Sequence, residues 1–170
     1  MPTHAAIAVP TTTAEPRRSF WLYVPPPPLF VATFLASVLV GRLVHPVVVP
    51  ASVAPLAWGL GLASLGAAGG LLVSACLLFL RRRTTIIPFG AARTLVTAGP
   101  YRVTRNPMYL GLVTAYVGAA LIANAVWPLV FLALPVWVLQ RRVIPFEERT
   151  LAQIFGDDYR AYQQRVRRWI

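Results

Sequence analysis

The sequence contains no lysine, one cysteine and only five acidic residues, although sixteen arginines give it a formal net charge of +11. Charged residues make up 12% of the chain, which is about half the share typical of a soluble globular domain. Hydrophobic residues make up 57%, which excludes a disordered basic tail and argues against a nucleic-acid-binding domain. What remains is an integral membrane protein whose charges lie outside its spans.

The scarcity of cysteine and histidine excludes two further kinds of site. Cys76 lies alone in an apolar run, so it cannot form an internal disulfide and is interpreted as a small packing residue. His4 and His45 are far apart in the sequence. No group of cysteine, histidine and acidic residues has the spacing of metal ligands, and we expect no bound metal.

Long apolar runs dominate the chain and predict four membrane helices, at residues 29–44, 55–80, 109–123 and 125–140. The second run is long enough to cross about 30 Å of hydrocarbon. The third and fourth are short, and only Asn124 separates them. We predict a tight helical hairpin that either crosses the bilayer or dips into it and returns. Pro128 and Pro135 predict a kink in its second helix.

The polar ends of the chain complete an all-α fold. Residues 1–18 are rich in proline and threonine and predict a flexible tail. Residues 19–170 are expected to form a single membrane domain. Within it, cytosolic helices are predicted at 145–155 and 157–169, separated by Gly156.

Arginines are concentrated on one side of this arrangement. Fifteen of the sixteen lie before the first run, between the second and third, or after the fourth, and only Arg42 is near the opposite side. Because arginine favours the cytoplasmic side of a membrane, both termini and the central loop are expected to be cytoplasmic. In a bacterium the membrane would be the cytoplasmic one.

The central loop carries an unusual density of polar and aromatic groups before the third run. They are Gly99, Tyr101, Arg105, Asn106 and Tyr109. Pro107 suits the first turn of a helix, and Asn106 before it suits the N-cap. The start of such a helix can bind an anion. The alternative is that these residues only cap the helix.

Four of the five acidic residues lie in the last 30 residues of the chain. Glu147 and Glu148 follow Pro145 in the first turn of a predicted helix, where acidic residues also stabilise the helix dipole. Adjacent helical residues point about 100° apart, so only one of the two needs to face a pocket. The helix that follows is basic and amphipathic, which is also typical of a helix lying on anionic lipid.

Both segments together resemble a known family. Thr94-Leu-Val-Thr-Ala-Gly-Pro-Tyr101 and Arg105-Asn-Pro-Met-Tyr-Leu-Gly111 are similar to the Thr-Leu-Val-x-x-Gly-x-Tyr and Arg-His-Pro-x-Tyr-x-Gly patterns of one superfamily. Glu147-Glu148 and Phe155-Gly-Asp-Asp-Tyr-Arg-Ala-Tyr162 are similar to its C-terminal pattern. Residues 81–170 thus resemble the isoprenylcysteine carboxyl methyltransferase and phospholipid N-methyltransferase superfamily of membrane enzymes.

The resemblance implies S-adenosylmethionine as cofactor and a lipophilic or lipid-linked methyl acceptor, with no nucleic acid partner. The family's cofactor-binding positions fall on Arg93, Thr94, Leu95, Val96, Tyr101, Asn106, Pro107, Met108, Tyr109 and Glu147. Phospholipid-methylating relatives also use a Gly-x-Gly in the preceding span, which Gly59-Leu-Gly61 matches.

Two positions depart from the family pattern. Asn106 stands where the prenylcysteine enzymes have histidine, which removes a titratable group. The family's substrate-carboxylate arginine aligns with Val143. Arg142 is one residue away, and it is a candidate catalytic residue together with Glu148.

Two other classes of function fit parts of the sequence. An NADPH-dependent membrane reductase would use the abundant arginine, but it normally needs more spans. A membrane scaffold of the same fold without catalytic activity would need neither the central loop nor the C-terminal segment.

Overall fold

A computed structural model of the chain describes residues 25–45, 47–81 and 94–170. Within these ranges every regular element is helical, which confirms the predicted all-α class. Three helices are long and apolar enough to cross a membrane: Pro26–Leu43, Ala54–Arg81 and Trp127–Arg165. Another apolar helix, Pro107–Ile122, is shorter. The predicted tail at 1–18 lies outside the described residues.

The first two helices correspond to the first two apolar runs. Helix α1 (Pro26–Leu43) starts three residues before the predicted run, with proline in its first turn, where the fixed φ of proline suits a helix. Helix α2 (Ala54–Arg81) has 28 residues. The segment between them is tied to the hairpin turn, because the amide of Val49 donates to Oδ1 of Asn124 at 2.8 Å.

Helix α3 (Pro107–Ile122) packs against α2 in backbone contact. A Cβ placed on Gly61 would lie 2.9 Å from the carbonyl oxygen of Gly118, and one on Gly118 would lie 2.8 Å from that of Gly61. Small residues permit this approach in membrane helices. Gly59 of the same Gly-x-Gly has nothing within 4 Å of its Cβ position. The contacts of Gly61 are therefore those of helix packing.

The hairpin turns at Asn124, whose φ is +51°, and returns through α4 (Trp127–Phe131) and α5 (Ala133–Val138). The interruption between α4 and α5 falls at Leu132, as expected from Pro135. Proline has no N–H for the carbonyl of Phe131 and its ring crowds that carbonyl.

The helical backbone does not break between the predicted fourth membrane helix, 125–140, and the predicted cytosolic helix, 145–155. A π-helical turn, Leu139–Val143, joins α5 to α6 (Ile144–Arg165). Such a wide turn accommodates Pro145, which lacks an N–H for the helix. At Gly156 (φ +53°, ψ −122°) α6 has non-helical backbone. Val166 is extended, so the predicted second helix, 157–169, ends earlier than expected.

Two groups of buried residues hold these helices together. The larger joins α1, α3, α5 and α6 and includes Phe30, Tyr116, Leu139 and Ile144. The smaller lies where α2 meets the central loop and contains Ala75, Val96 and Tyr101. The beginning of α3 lies between the two groups, because Tyr109 packs against the first and Met108 against the second.

Candidate functional site

Tyr109 and Glu147 meet where the hairpin joins the rest of the fold. The Tyr109 hydroxyl donates to Oε1 of Glu147 at 2.5 Å, and both side chains are half-buried. Tyr109 is in the first turn of α3 and Glu147 in the first turn of α6. The structure thus brings together one residue from each predicted motif.

Tyr101 is a second tyrosine near Glu147. Its ring is buried and meets Phe79 edge-on, with ring centroids 5.6 Å apart. The hydroxyl of Tyr162 in α6 donates to the Tyr101 carbonyl at 2.7 Å. Burial raises the pKa of the Tyr101 phenol, and the nearby Tyr162, Glu147 and Cys76 raise it further. The phenol is therefore neutral at physiological pH and can serve as a donor.

The other predicted cofactor residues of the loop differ in exposure. Val96 is buried against Ala75 and Tyr101, and Met108 packs on the same group. Pro107 is buried, Leu95 is half-buried and Thr94 is exposed. Arg93 lies outside the described residues. The loop therefore supplies an apolar wall, made mainly by Val96 and Met108, next to Tyr101.

Asn106 occupies the predicted N-cap position, but its side chain does not cap α3. Its amide nitrogen instead donates to the carbonyl of Arg168 at 2.9 Å. The buried Thr104 hydroxyl donates to the same carbonyl and accepts from the Asn106 amide N–H. A long-range contact to the C-terminus has replaced the local cap.

Glu148 is neutralised by two arginines. Arg105 donates to its Oε1 at 2.8 Å, and Arg168 donates to Oε1 at 3.2 Å and Oε2 at 2.5 Å. Hydrogen bonding to Glu148 raises the pKa of the Arg168 guanidinium. With both oxygens occupied, Glu148 is better suited to holding the loop against α6 than to the catalytic role predicted for it.

The last residues of the chain, 166–169, form a non-helical strap across the beginning of α3. The Arg105 amide donates to the Arg167 carbonyl at 2.9 Å, and the Trp169 indole N–H donates to Oε1 of Gln140 at 2.8 Å. The sequence analysis missed the roles of Arg168, Trp169 and Gln140. The sequence there has the amphipathic period of a helix, and this pattern does not predict a non-helical segment.

Arg142, the other predicted catalytic residue, is exposed beside the exposed Arg141 at the π-helical turn. Val143, at the family's arginine position, is buried in the larger core group. The side chain at 143 therefore packs in the core, and the role of Arg142 stays a prediction.

The partners of the two neighbouring glutamates differ, and this difference indicates which one can receive a cationic ligand. Within the described ranges, Glu147 pairs with no arginine and its recorded hydrogen bond is to a phenol, whereas Glu148 pairs with two arginines. Desolvation favours the neutral form of a half-buried carboxyl that has no paired cation, so a cationic ligand would stabilise its charged form. Glu147, with the aromatic faces of Tyr101 and Tyr109 near it, fits a positively charged group such as a sulfonium or an ammonium.

Comparison with known proteins finds relatives of this chain. "Protein-S-isoprenylcysteine O-methyltransferase B" of Arabidopsis thaliana is 36% identical over 98 residues, covering 50% of this chain and 49% of the relative. "Protein-S-isoprenylcysteine O-methyltransferase A" of the same plant is 40% identical over 73 residues, covering 42% of this chain and 36% of the relative.

A rice protein (Oryza sativa subsp. indica), "Probable protein-S-isoprenylcysteine O-methyltransferase", is 36% identical over 72 residues, covering 42% of this chain and 38% of the relative. The chain spans about half the length of the first relative and less of the other two. No solved structure matches the chain significantly.

The family described as phospholipid methyltransferase matches residues 56–158. This range runs from α2 through the hairpin into α6, and it contains both Tyr109 and Glu147. The match covers more than half of the chain and confirms the superfamily that the two motifs predict. The chain belongs to the phospholipid methyltransferase family.

Proposed function

We propose that the protein transfers a methyl group from S-adenosylmethionine to a lipophilic acceptor at the cytoplasmic face of a membrane. The observation that carries this proposal is the contact between Tyr109 and Glu147. Among the residues that the structure describes, no cation pairs with this half-buried carboxylate, which lies at the end of an apolar hairpin and inside the region that the family match covers.

The residues around Glu147 offer complementary groups for each part of the donor. Its carboxylate suits the cationic part, and the rings of Tyr101 and Tyr109 suit a cation or a flat aromatic face. Val96 and Met108 offer apolar surface for adenine, and Thr94 and Leu95 precede Val96 in the same loop. Arg93, which directly precedes Thr94 in the sequence, is proposed to contribute as well. The first-turn amides of Met108 and Tyr109 have no partner within α3 and suit a carboxylate, and Asn106 and Pro107 fix where this helix begins.

The chain's contribution to the reaction is mainly positioning. S-adenosylmethionine, when bound, supplies an electrophilic methyl group on a positively charged sulfur. Tyr109 holds the Glu147 carboxylate in one orientation, so the donor meets a fixed negative charge. Methyl transfer needs an in-line approach and little covalent assistance from the protein. Arg142, exposed at the π-helical turn, is placed to attract an anionic head group of the acceptor.

The cytoplasmic orientation is supported by the arginines. Arg102, Arg141, Arg149, Arg165 and Arg167 are exposed at the end of the fold that holds Glu147. Arg42, in the last turn of α1, is the one arginine of the sequence that lies outside the three arginine-bearing segments. A reporter fused to the C-terminus should be active only in the cytoplasm, and activity on the other side would overturn the orientation.

The proposed activity is tested with purified protein in detergent. Methyl-labelled S-adenosylmethionine is added with a total membrane lipid extract, and label is measured in the lipid fraction. We expect transfer by the natural protein and its loss in Glu147→Gln. In parallel, S-adenosylmethionine should raise the melting temperature and NADPH should not. Stabilisation by NADPH alone would favour the reductase, and stabilisation by neither would favour a scaffold.

A further inference from the structure

The turn before α3, Gly99–Arg102, lies at the same height as the last turn of α2. Leu78 and Phe79 pack against the buried group that contains Tyr101, and the rings of Phe79 and Tyr101 are 5.6 Å apart. The same turn of α2 ends at Arg81. An arginine that ends an apolar membrane helix extends towards the headgroups of the bilayer. The turn before α3 is therefore placed at headgroup level.

Two large apolar side chains are exposed at this polar end of the fold. Val103 directly follows the turn and is 63% exposed, and Ile170 directly follows the strap and is 73% exposed. The Arg105 amide donates to the Arg167 carbonyl at 2.9 Å, which holds the turn and the strap side by side. Exposed apolar side chains gain nothing in water, whereas at the boundary between headgroups and hydrocarbon they can leave it.

The arginines beside these two side chains carry uncompensated charge. Arg102, Arg165 and Arg167 are exposed. In the part of the chain that the structure describes, none of them pairs with an acidic side chain. The exposed Asp157 pairs with Arg160 instead. Exposed arginines next to exposed apolar side chains fit an anionic surface with an apolar layer beneath it.

The second half of α6 has the basic amphipathic pattern that is typical of a helix lying on lipid, but its apolar face is already occupied. Tyr159 and Tyr162 are only 2% and 4% exposed. The Tyr162 hydroxyl donates to the carbonyl of Tyr101 at 2.7 Å. This face of the helix therefore packs against the protein, and contact with lipid is left to the turn and the strap.

We propose that Arg102, Val103, Arg165, Arg167 and Ile170 form a lipid patch that binds the headgroup of an anionic phospholipid of the surrounding bilayer. The guanidinium groups bind the phosphate, because a guanidinium matches its geometry and charge. The two apolar side chains enter the layer beneath the headgroups. Bound lipid contacts both the turn and the strap, and so holds these two segments together. The patch is distinct from the proposed donor site, and the inference does not depend on methyl transfer.

Titration of phosphatidylglycerol into the purified protein in an uncharged detergent tests the charges of the patch. The lipid should raise the melting temperature more than phosphatidylcholine does. Arg102→Gln and Arg167→Gln should each weaken the apparent affinity for phosphatidylglycerol about fivefold, the value of one arginine near an anionic surface. Arg160→Gln is the matched control, because Arg160 already pairs with Asp157 at 2.7 Å, and its affinity should stay unchanged.

Three results of this titration would overturn the proposal. They are equal stabilisation by the two lipids, unchanged affinity in both patch variants, and an equal loss in Arg160→Gln. Polyglutamate, added in place of lipid, represents an acidic protein. Stabilisation by polyglutamate and not by phosphatidylglycerol would assign the patch to a protein partner and would also overturn the proposal.

A second measurement locates the apolar part of the patch. Val103→Cys in a Cys76→Ala chain is labelled with bimane, and the protein is placed in vesicles that contain a lipid with a nitroxide high on its acyl chain. We expect stronger quenching in vesicles of phosphatidylcholine mixed with phosphatidylglycerol than in vesicles of phosphatidylcholine alone. Equal quenching in the two kinds of vesicle, or none in either, would overturn the proposal. Absence of methyl transfer would instead refute the proposed function and leave this comparison intact.

Discussion

The hydroxyl of Tyr109 and the carboxylate of Glu147 lie 2.5 Å apart, although 38 residues separate them in the sequence. The contact joins the first turn of α3 to the first turn of α6. The next residue, Glu148, points to two arginines instead. The two adjacent glutamates thus have different environments. Glu148 holds the loop against α6, and Glu147 is left for the proposed binding of a cation.

Tyr109→Phe should weaken S-adenosylmethionine binding about fivefold, because it removes the hydrogen bond by which Tyr109 orients Glu147, a loss of about 1 kcal/mol. Isothermal titration in detergent measures the effect. Tyr116→Phe is the control, since it makes the same substitution on the same helix face but away from Glu147, and should leave the affinity unchanged. Unchanged affinity in Tyr109→Phe would contradict the orienting role.

Glu148→Ala should lower the free energy of unfolding by about 3 kcal/mol, because Arg105 and Arg168 lose their shared counter-ion in a poorly solvated position. The Arg105 and Glu148 side chains are only 13% and 12% exposed. Thermal denaturation in detergent measures the loss. Asp158→Ala, which removes an exposed acid from the same helix, should change stability by less than about 0.5 kcal/mol. If Glu148→Ala were as stable as this control, Glu148 would not hold the loop against α6.

Gly61→Ala should destabilise the fold by about 1–3 kcal/mol, because its Cβ would press on the carbonyl oxygen of Gly118 at 2.9 Å. Gly59→Ala, two residues earlier in the same helix, meets open space. It should be neutral or stabilising by up to about 1 kcal/mol, since alanine favours a helix. Equal melting temperatures for the two variants would show that α2 and α3 are not in backbone contact.

Removing residues 166–170 should expose the loop before α3. The Arg105 amide loses the Arg167 carbonyl, and the side chains of Thr104 and Asn106 lose the Arg168 carbonyl. Hydrogen exchange should accelerate at the Arg105 amide. The Leu110 amide, bonded to the Asn106 carbonyl at the start of α3, is the internal control and should keep its protection. Unchanged exchange at Arg105 would contradict the account of the strap.

Much of the fold could be predicted because local rules govern it. Long apolar runs place the helices, Pro135 places the interruption at Leu132, and Gly156 places the change of direction within α6. These features depend on hydrophobicity and on backbone restrictions that act within a few residues. The strap could not be predicted in this way. Its non-helical backbone is held by partners such as Gln140 that are distant in sequence.

The site could be predicted only in part for the same reason. The two motifs marked Tyr109 and Glu147, but nothing local decides which of two adjacent glutamates receives the arginines. That choice depends on where the strap places Arg168 and on the turn that carries Arg105. Asn106 is the N-cap residue of α3 as expected, but its side chain makes no capping hydrogen bond and bonds the Arg168 carbonyl instead.

Isothermal titration of S-adenosylmethionine into the natural protein and Glu147→Gln tests the central claim most directly. Glutamine keeps the size and hydrogen bonding of the side chain and removes its charge. The account predicts saturable binding by the natural protein and at least about tenfold weaker binding by the variant, the value of a charge-assisted hydrogen bond. Asp158→Asn should bind like the natural protein. Equal affinities for all three proteins, or no binding by the folded natural protein, would contradict the account.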